Sequence, residues 1–160
     1  MERSIGFLGR VSGHTYDTIY DLLFTTERVI AIIVQHPTDV QFKLGVPELF
    51  LGGRLAKLSE RPDRRIVAED RLRTYKEKTF DELIASHRFN FEIPYNKIIS
   101  VEVARGLFQA RLKFHISGPS FEGRTIHFTL AKNQVSDARN LLDLVLPLKI
   151  KKRDKVLSKY

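Results

Sequence analysis

The second half of the chain alternates apolar and polar residues over four short segments. Alternation with a period of two is typical of strands that are dry on one face and wet on the other. The apolar members of the four segments are Phe89, Phe91 and Ile93; Ile99, Val101 and Val103; Leu112, Phe114 and Ile116; and Ile126, Phe128 and Leu130. Pro94 separates the first two segments, and a Ser-Gly-Pro-Ser turn at 117–120 separates the last two. The pattern predicts four antiparallel strands.

The first 36 residues predict three further strands, at 5–11, 15–25 and 29–34. The short polar run from Thr25 to Arg28 is typical of a hairpin connection between the second and the third strand. Residues 29–34 are β-branched at every position except Ala31. So short and apolar a run predicts a strand that is buried on both faces.

Helical patterns interrupt the strands at about 44–88 and follow them after residue 133. We expect a short helix around Leu49–Leu58, a helix over Ile66–Lys76, and a clearer one that starts after Thr79. Thr79 has Glu82 three residues later, which is the spacing of a capping box. Asn133 is expected to cap a last amphipathic helix, which Pro147 ends. The buried stripe of that helix is predicted to contain Val135, Ala138, Leu142 and Val145.

These elements predict a mainly β (α+β) fold. We expect a bent, seven-stranded antiparallel barrel or sandwich with an inserted helical segment and a C-terminal helix that caps its open end. Residues 1–148 would form this single domain, and residues 149–160 a basic C-terminal tail. A chain of 160 residues is long enough to bury one core of this kind.

The order of three short motifs resembles the pleckstrin-homology-like (PH-like) fold, especially its bacterial and GRAM-type members. Residues 22–30, Leu-Leu-Phe-Thr-Thr-Glu-Arg-Val-Ile, resemble the strand, Thr-x-x-Arg, strand hairpin of those domains. Residues 91–101 resemble their Ile-Pro-Tyr-x-x-Ile-x-x-Val segment, and residues 126–145 their terminal strand and helix. The resemblance leaves out residues 37–75 and the tail.

The resemblance implies a binding scaffold rather than a catalyst. Some members of the family bind phosphoinositides, and others bind peptides or self-associate. The lipid-binding members have a cluster of Lys and Arg around the first hairpin, where this chain has Arg3, Arg10 and His14 with Asp17 nearby. Phosphoinositide binding is therefore not implied here, and the fold does not fix the function.

The net charge of +8 is concentrated at the C-terminus. Residues 149–160 contain six basic residues and one acidic residue, whereas residues 1–46 contain four basic and five acidic ones. Three interpretations of this tail remain open: a solvated end, a contact with anionic lipid headgroups, or a nucleic-acid contact. The last would lack interleaved aromatic residues, since only Tyr160 is present. The tail residues available to an anionic partner are Lys149, Lys151, Lys152, Arg153 and Lys155.

A second candidate surface is a basic stripe on the wet face of the last two strands. If the strands pair His115 with His127, they also align Lys113 with Thr129, and the stripe contains Arg111, Lys113, His115 and His127. Such a stripe could bind an anion or respond to pH. Residues of these types are also ordinary on a solvated sheet face.

Catalytic and cofactor motifs are not found in the sequence. The chain has no cysteine, which excludes disulfides and thiolate chemistry and fits a reducing cytosol. None of the five histidines lies in a hydrolase or metal-binding motif, and no glycine-rich phosphate loop is present. We therefore predict that the protein is not an enzyme and needs neither cofactor nor metal. A site that uses His115 or His127 beside a carboxylate is the hypothesis that would contradict this prediction.

The sequence thus predicts a cytoplasmic, non-catalytic binding or adaptor module. It would dock on protein partners or on the anionic inner membrane face as a peripheral protein, and it could assemble as a homo-oligomer. The apolar segment 44–53 would be either core or an exposed interface. The alternative function is nucleic-acid binding through the tail and the basic stripe.

Overall fold

The computed structural model describes residues 1–13, 18–36, 64–118 and 124–151. These residues form seven strands and three α-helices. The strands are β1 (Ser4–Ser12), β2 (Ile19–Thr25), β3 (Arg28–Gln35), β4 (Phe91–Pro94), β5 (Ile98–Arg105), β6 (Ala110–Ile116) and β7 (Arg124–Leu130). The helices are α1 (Arg64–Lys76), α2 (Phe80–Ala85) and α3 (Val135–Val145). All seven predicted strands are confirmed, and so is the mainly β class.

The strands form one antiparallel sheet in the order β4-β3-β2-β1-β7-β6-β5. Its two edge strands are consecutive in the chain, because only a 3₁₀ turn over Tyr95–Lys97 separates β4 from β5. Seven flat strands would hold the edges about 29 Å apart. Four peptide links from Pro94 to Ile98 reach about 15 Å at most. The sheet must therefore bend strongly, and the chain crosses from one edge to the other at this corner.

The predicted barrel does not close. β4 and β5 remain the two edges of the strand order, and the middle joint between β1 and β7 contains a single paired position, Ser12 with Thr129. Pro94 supplies a physical reason on the β4 side, since it has no amide hydrogen to extend a ladder and it ends a strand of only four residues. The result is an open, bent sheet.

The main core lies on the inner face of the bend and is closed by α3. Phe24, Phe114 and Phe128 are fully buried there. Val135, Ala138 and Leu142 of α3 are buried against them, which confirms the predicted stripe. Gly6 of β1 lets the helix approach closely, because a Cβ at this position would overlap the side chain of Leu141.

A second, smaller core covers the outer face of β2 and β3. Leu23, Ile30 and Ile32 are buried there under Leu83 of α2, and side chains of α1 pack against the same cluster. β3 thus has buried residues on both faces, as the β-branched run predicted. Helices α1 and α2 thus cover this outer face.

The ends of the helices follow local sequence signals only in part. The capping box is confirmed: the Thr79 hydroxyl accepts the Glu82 amide at 3.2 Å, and the Glu82 carboxylate accepts the Thr79 amide at 2.8 Å. The prediction that Asn133 caps α3 is wrong, because a 3₁₀ turn over Lys132–Gln134 precedes the helix. Gln134 anchors this turn instead, since its side chain accepts the Ala131 amide and donates to the Gly9 carbonyl.

The C-terminal residues up to Lys151 belong to the sheet region. Val101 of β5 donates to the Lys149 carbonyl and accepts from the Lys151 amide, both at 2.8 Å, so Ile150 forms a parallel bridge to β5. This bridge covers part of the free edge of β5. The predictions for the helix at 49–58, the apolar segment 44–53 and the tail beyond residue 151 lie outside the described residues.

Candidate functional site

The four residues of the predicted basic stripe share the outer face of β6 and β7. The structure pairs Lys113 with His127 and His115 with Thr125, so the predicted register is wrong by two residues. A shift by two keeps every side chain on the same face. The inner face explains the actual register, because it aligns the buried residues Leu112 with Phe128 and Phe114 with Ile126.

The stripe is not purely basic. Lys113 lies between Glu102 of β5 and His127 of β7, so a carboxylate borders the stripe on its β5 side. The His115 ring nitrogen Nδ1 lies 3.1 Å from the Thr125 hydroxyl. Within the described ranges, no group of three His, Asp or Glu side chains could hold a metal ion. The stripe alone is thus a mixed surface whose groups contact one another.

Lys149 is bound within the fold rather than in a free tail. Its ammonium donates to the Tyr95 carbonyl at 2.7 Å, at the corner where the chain passes from β4 to β5. Lys151 is tied to β5 through its amide. Lys152, Arg153 and Lys155 lie outside the described residues, so the structure brings two of the five predicted tail residues close to the sheet.

Two large apolar side chains are strongly exposed in the hairpin that connects β5 and β6. Leu107 and Phe108 are 84% and 87% exposed. They are the two residues of the loop, which the amide of Gly106 closes by donating to the Gln109 carbonyl at 2.8 Å. A Cβ on Gly106 would lie 2.7 Å from that carbonyl oxygen, so glycine is required for this tight turn. We call residues 105–111 the hairpin tip.

Basic side chains flank the apolar pair. Arg105 precedes the loop, Arg111 follows it, and both are exposed. Ala110, between them, is fully buried and fixes the base of the tip in the main core. Arg111 is also the first residue of the basic stripe, so the tip and the stripe form one continuous surface on β6. The register pairs Arg105 with Ala110 and Ala104 with Arg111, so the two arginines flank the apolar pair on opposite faces of the hairpin.

The patterns used to predict the strands do not identify this tip. Two-residue hairpin loops usually consist of Asn, Gly or Asp, whose conformational preferences suit the turn. A Leu-Phe pair in such a loop satisfies no turn requirement and leaves apolar surface in water. The signal was therefore present: an apolar dipeptide between Gly106 and Gln109, at the centre of two alternating segments.

Arg28 forms a separate ion cluster at the β2–β3 hairpin. Its guanidinium contacts Glu2 at 2.8 and 3.0 Å, Asp81 at 2.8 Å, and Glu92. Burial alone would raise the pKa of Glu2, but hydrogen bonds from Arg28 and Thr25 outweigh it, and the pKa lies below its usual range. The hydrogen bond to Glu2 raises the pKa of Arg28. These groups join the N-terminus, β3, β4 and α2, which is a structural role.

No family model, curated protein or solved structure matches the chain. Among the helices of the described part of the chain, none is both long and apolar enough to cross a membrane. The geometry of the hairpin tip is thus the main guide to function.

Proposed function

We propose that the protein is a non-catalytic binding module with a PH-like fold that docks on an anionic membrane surface through its hairpin tip. The observation that carries the proposal is the exposed Leu107-Phe108 pair flanked by Arg105 and Arg111. The PH-like assignment is supported by seven antiparallel strands in a bent sheet followed by a C-terminal helix packed on the inner face.

The two kinds of residue in the tip suit the two layers of a membrane surface. Apolar side chains gain free energy when they enter the boundary between headgroups and acyl chains, up to about 1.5–3 kcal/mol for each fully buried Leu or Phe. Each Lys or Arg near an anionic surface contributes about 1 kcal/mol. With two residues of each kind, the tip would give a reversible attachment of a few kcal/mol, as expected of a peripheral protein.

Vesicle sedimentation tests the proposal. The full chain should sediment with vesicles of anionic lipid and remain in solution with zwitterionic vesicles, and added salt should weaken the binding. The double variant Leu107→Ser/Phe108→Ser and the double variant Arg105→Gln/Arg111→Gln should each lose most of the bound fraction. Ile99→Ser is the control, since Ile99 is an exposed apolar residue at the other end of β5, the strand that leads into the tip. Equal binding by the unmodified chain and both double variants would contradict the proposal.

The contribution of the tail can be measured separately. Because Lys149 and Lys151 are bonded to the corner and to β5, a truncation should remove residues 152–160 and keep residue 151. If Lys152, Arg153 and Lys155 add to the same contact, this truncation should reduce the fraction bound to anionic vesicles. The tip substitutions should then still lower the bound fraction of the truncated chain. If binding is unchanged, the tail is a solvated end.

Nucleic-acid binding is the second candidate, since Arg111, Lys113, His115 and His127 do share one face. The outcome that favours it is a gel shift at low salt that falls as salt is added. Nucleic-acid binding is the weaker candidate for two reasons. The carboxylate of Glu102 lies beside Lys113 of the stripe, and the stripe contains no Phe, Tyr or Trp. Absence of a shift at low salt would remove it.

A further inference from the structure

A cleft of about 580 Å³ opens between β4 and the facing ends of β6 and β7. It lies where the bent sheet fails to close, with β4 as one wall and the start of β7 as the other. Its volume falls within the range of about 300–1,000 Å³ that small-molecule sites have. Lys97 and Ile116 place the cleft at the end of the β5–β6 hairpin opposite the tip, and the cleft does not depend on the function proposed for the tip.

The floor of the cleft is apolar. Phe91 and Ile93 of β4, Ile116 of β6 and Ile126 of β7 line it, and all four contact the main core. Phe91 lies 6.3 Å from the ring of Phe128 in a stacked arrangement, which fixes its position against the core. A ligand that enters the cleft would therefore exchange water for aliphatic and aromatic surface.

Two basic residues lie at the rim. Lys97 stands at the β4–β5 corner, and Arg124 begins β7 on the same face as the core residues Ile126 and Phe128. Glu92 also lines the cleft and is one of three carboxylates that contact Arg28. Two basic residues and one carboxylate therefore line the cleft.

The wall formed by β4 argues against a peptide as the occupant. β4 is four residues long, and Pro94 offers no amide hydrogen, so an added strand would form few main-chain hydrogen bonds. An apolar floor beneath a cationic rim instead complements a molecule with an aliphatic chain and an anionic head.

We propose that this cleft binds a small amphipathic anion of the fatty-acid class. The aliphatic chain would lie on Phe91, Ile116 and Ile126, and the carboxylate would meet Lys97 and Arg124. An aliphatic alcohol of the same length would fill the same floor but would gain nothing from the rim.

Titration of the isotope-labelled full chain with decanoate, followed by NMR, tests this proposal. The amides of residues 91–93, 116 and 124–126 should shift together and saturate. The double variant Lys97→Gln/Arg124→Gln should weaken decanoate binding roughly tenfold and leave the affinity for decanol unchanged. The control variant Lys132→Gln/Arg139→Gln removes the same charge from two exposed residues that do not line the cleft, and it should bind decanoate as the unmodified chain does.

Three results would overturn the proposal. One is the absence of saturable shifts at these amides. Another is a set of shifts confined to other parts of the chain. The third is equal weakening of decanoate binding by the rim variant and by the control variant, which would indicate attraction by net charge alone. The amide spectrum of each variant reports whether it is folded, so loss of binding is separated from loss of structure.

Discussion

The carboxylate of Asp21 accepts a hydrogen bond from Arg71 Nε at 2.6 Å, and the Asp21 side chain is fully buried. The same carboxylate accepts the Tyr75 hydroxyl at 2.8 Å and the Arg10 amide at 2.9 Å. Arg10 has a φ of 53° and lies where the β1–β2 register shifts. One carboxylate therefore joins α1 to β2 and satisfies an amide at an irregular position of β1.

Loss of Arg71 should be costly, because it would leave a buried carboxylate without its cation. We expect Arg71→Met to lower the free energy of unfolding by about 3 kcal/mol. Arg73→Met on the same helix is the matched control, since Arg73 and Asp70 form an exposed pair at 3.3 Å. The control should change stability by less than about 0.5 kcal/mol. Urea unfolding of both variants measures the difference, and equal losses would show that Asp21 does not depend on Arg71.

The capping box should account for much of the stability of α2, which is only six residues long. Thr79→Ala removes the acceptor for the Glu82 amide and should cost about 1 kcal/mol. Thr74→Ala in α1 is the control, because the Thr74 hydroxyl bonds only to a carbonyl within its own helix. Thermal unfolding should show a clear loss for the first variant and almost none for the second. A similar loss in both would assign the effect to threonine removal in general.

The Glu2–Arg28 pair predicts a dependence of stability on pH. Because the pKa of Glu2 is lowered in the folded protein, its contribution is present above the unfolded value of about 4.3 and is lost as the pH falls through the folded value. Glu2→Gln should cost about 1.5 kcal/mol near pH 7. The stabilities of the variant and the unmodified chain should converge as the pH falls through the folded pKa of Glu2. A difference that stays constant with pH would mean that the charge of Glu2 is not what stabilises the fold.

Sequence patterns predicted the features of this fold that depend on neighbouring residues. Local residue patterns located all seven strands, by alternation for most of them and by a β-branched run for β3, and the Thr79–Glu82 spacing located the start of α2. The role of Asp21 could not be predicted in this way, because it depends on Arg71 and Tyr75, which are distant in the sequence. The register of β6 and β7 likewise follows from which buried side chains meet across the core.

The exposure of the hairpin tip could be predicted only by knowing where the β5–β6 turn lies. Leu107 and Phe108 continue an apolar tendency that the strands on both sides share, so alternation alone does not separate them from strand residues, and only Gly106 and Gln109 beside them mark the turn. Once the ladder ends at Arg105 and Ala110, the pair is left in the loop and in water. The three motifs on which the PH-like resemblance rests do not include this apolar pair.

A single tryptophan at the tip tests membrane docking most directly. The chain has no tryptophan, so Phe108→Trp introduces one fluorophore, and Leu144→Trp introduces one at a site on α3 that is 70% exposed. On addition of anionic vesicles, the emission of the Phe108→Trp variant should shift to the blue and be quenched by brominated acyl chains. The emission of the Leu144→Trp variant should not change. No shift in the tip variant, or equal shifts in both variants, would contradict docking through the tip.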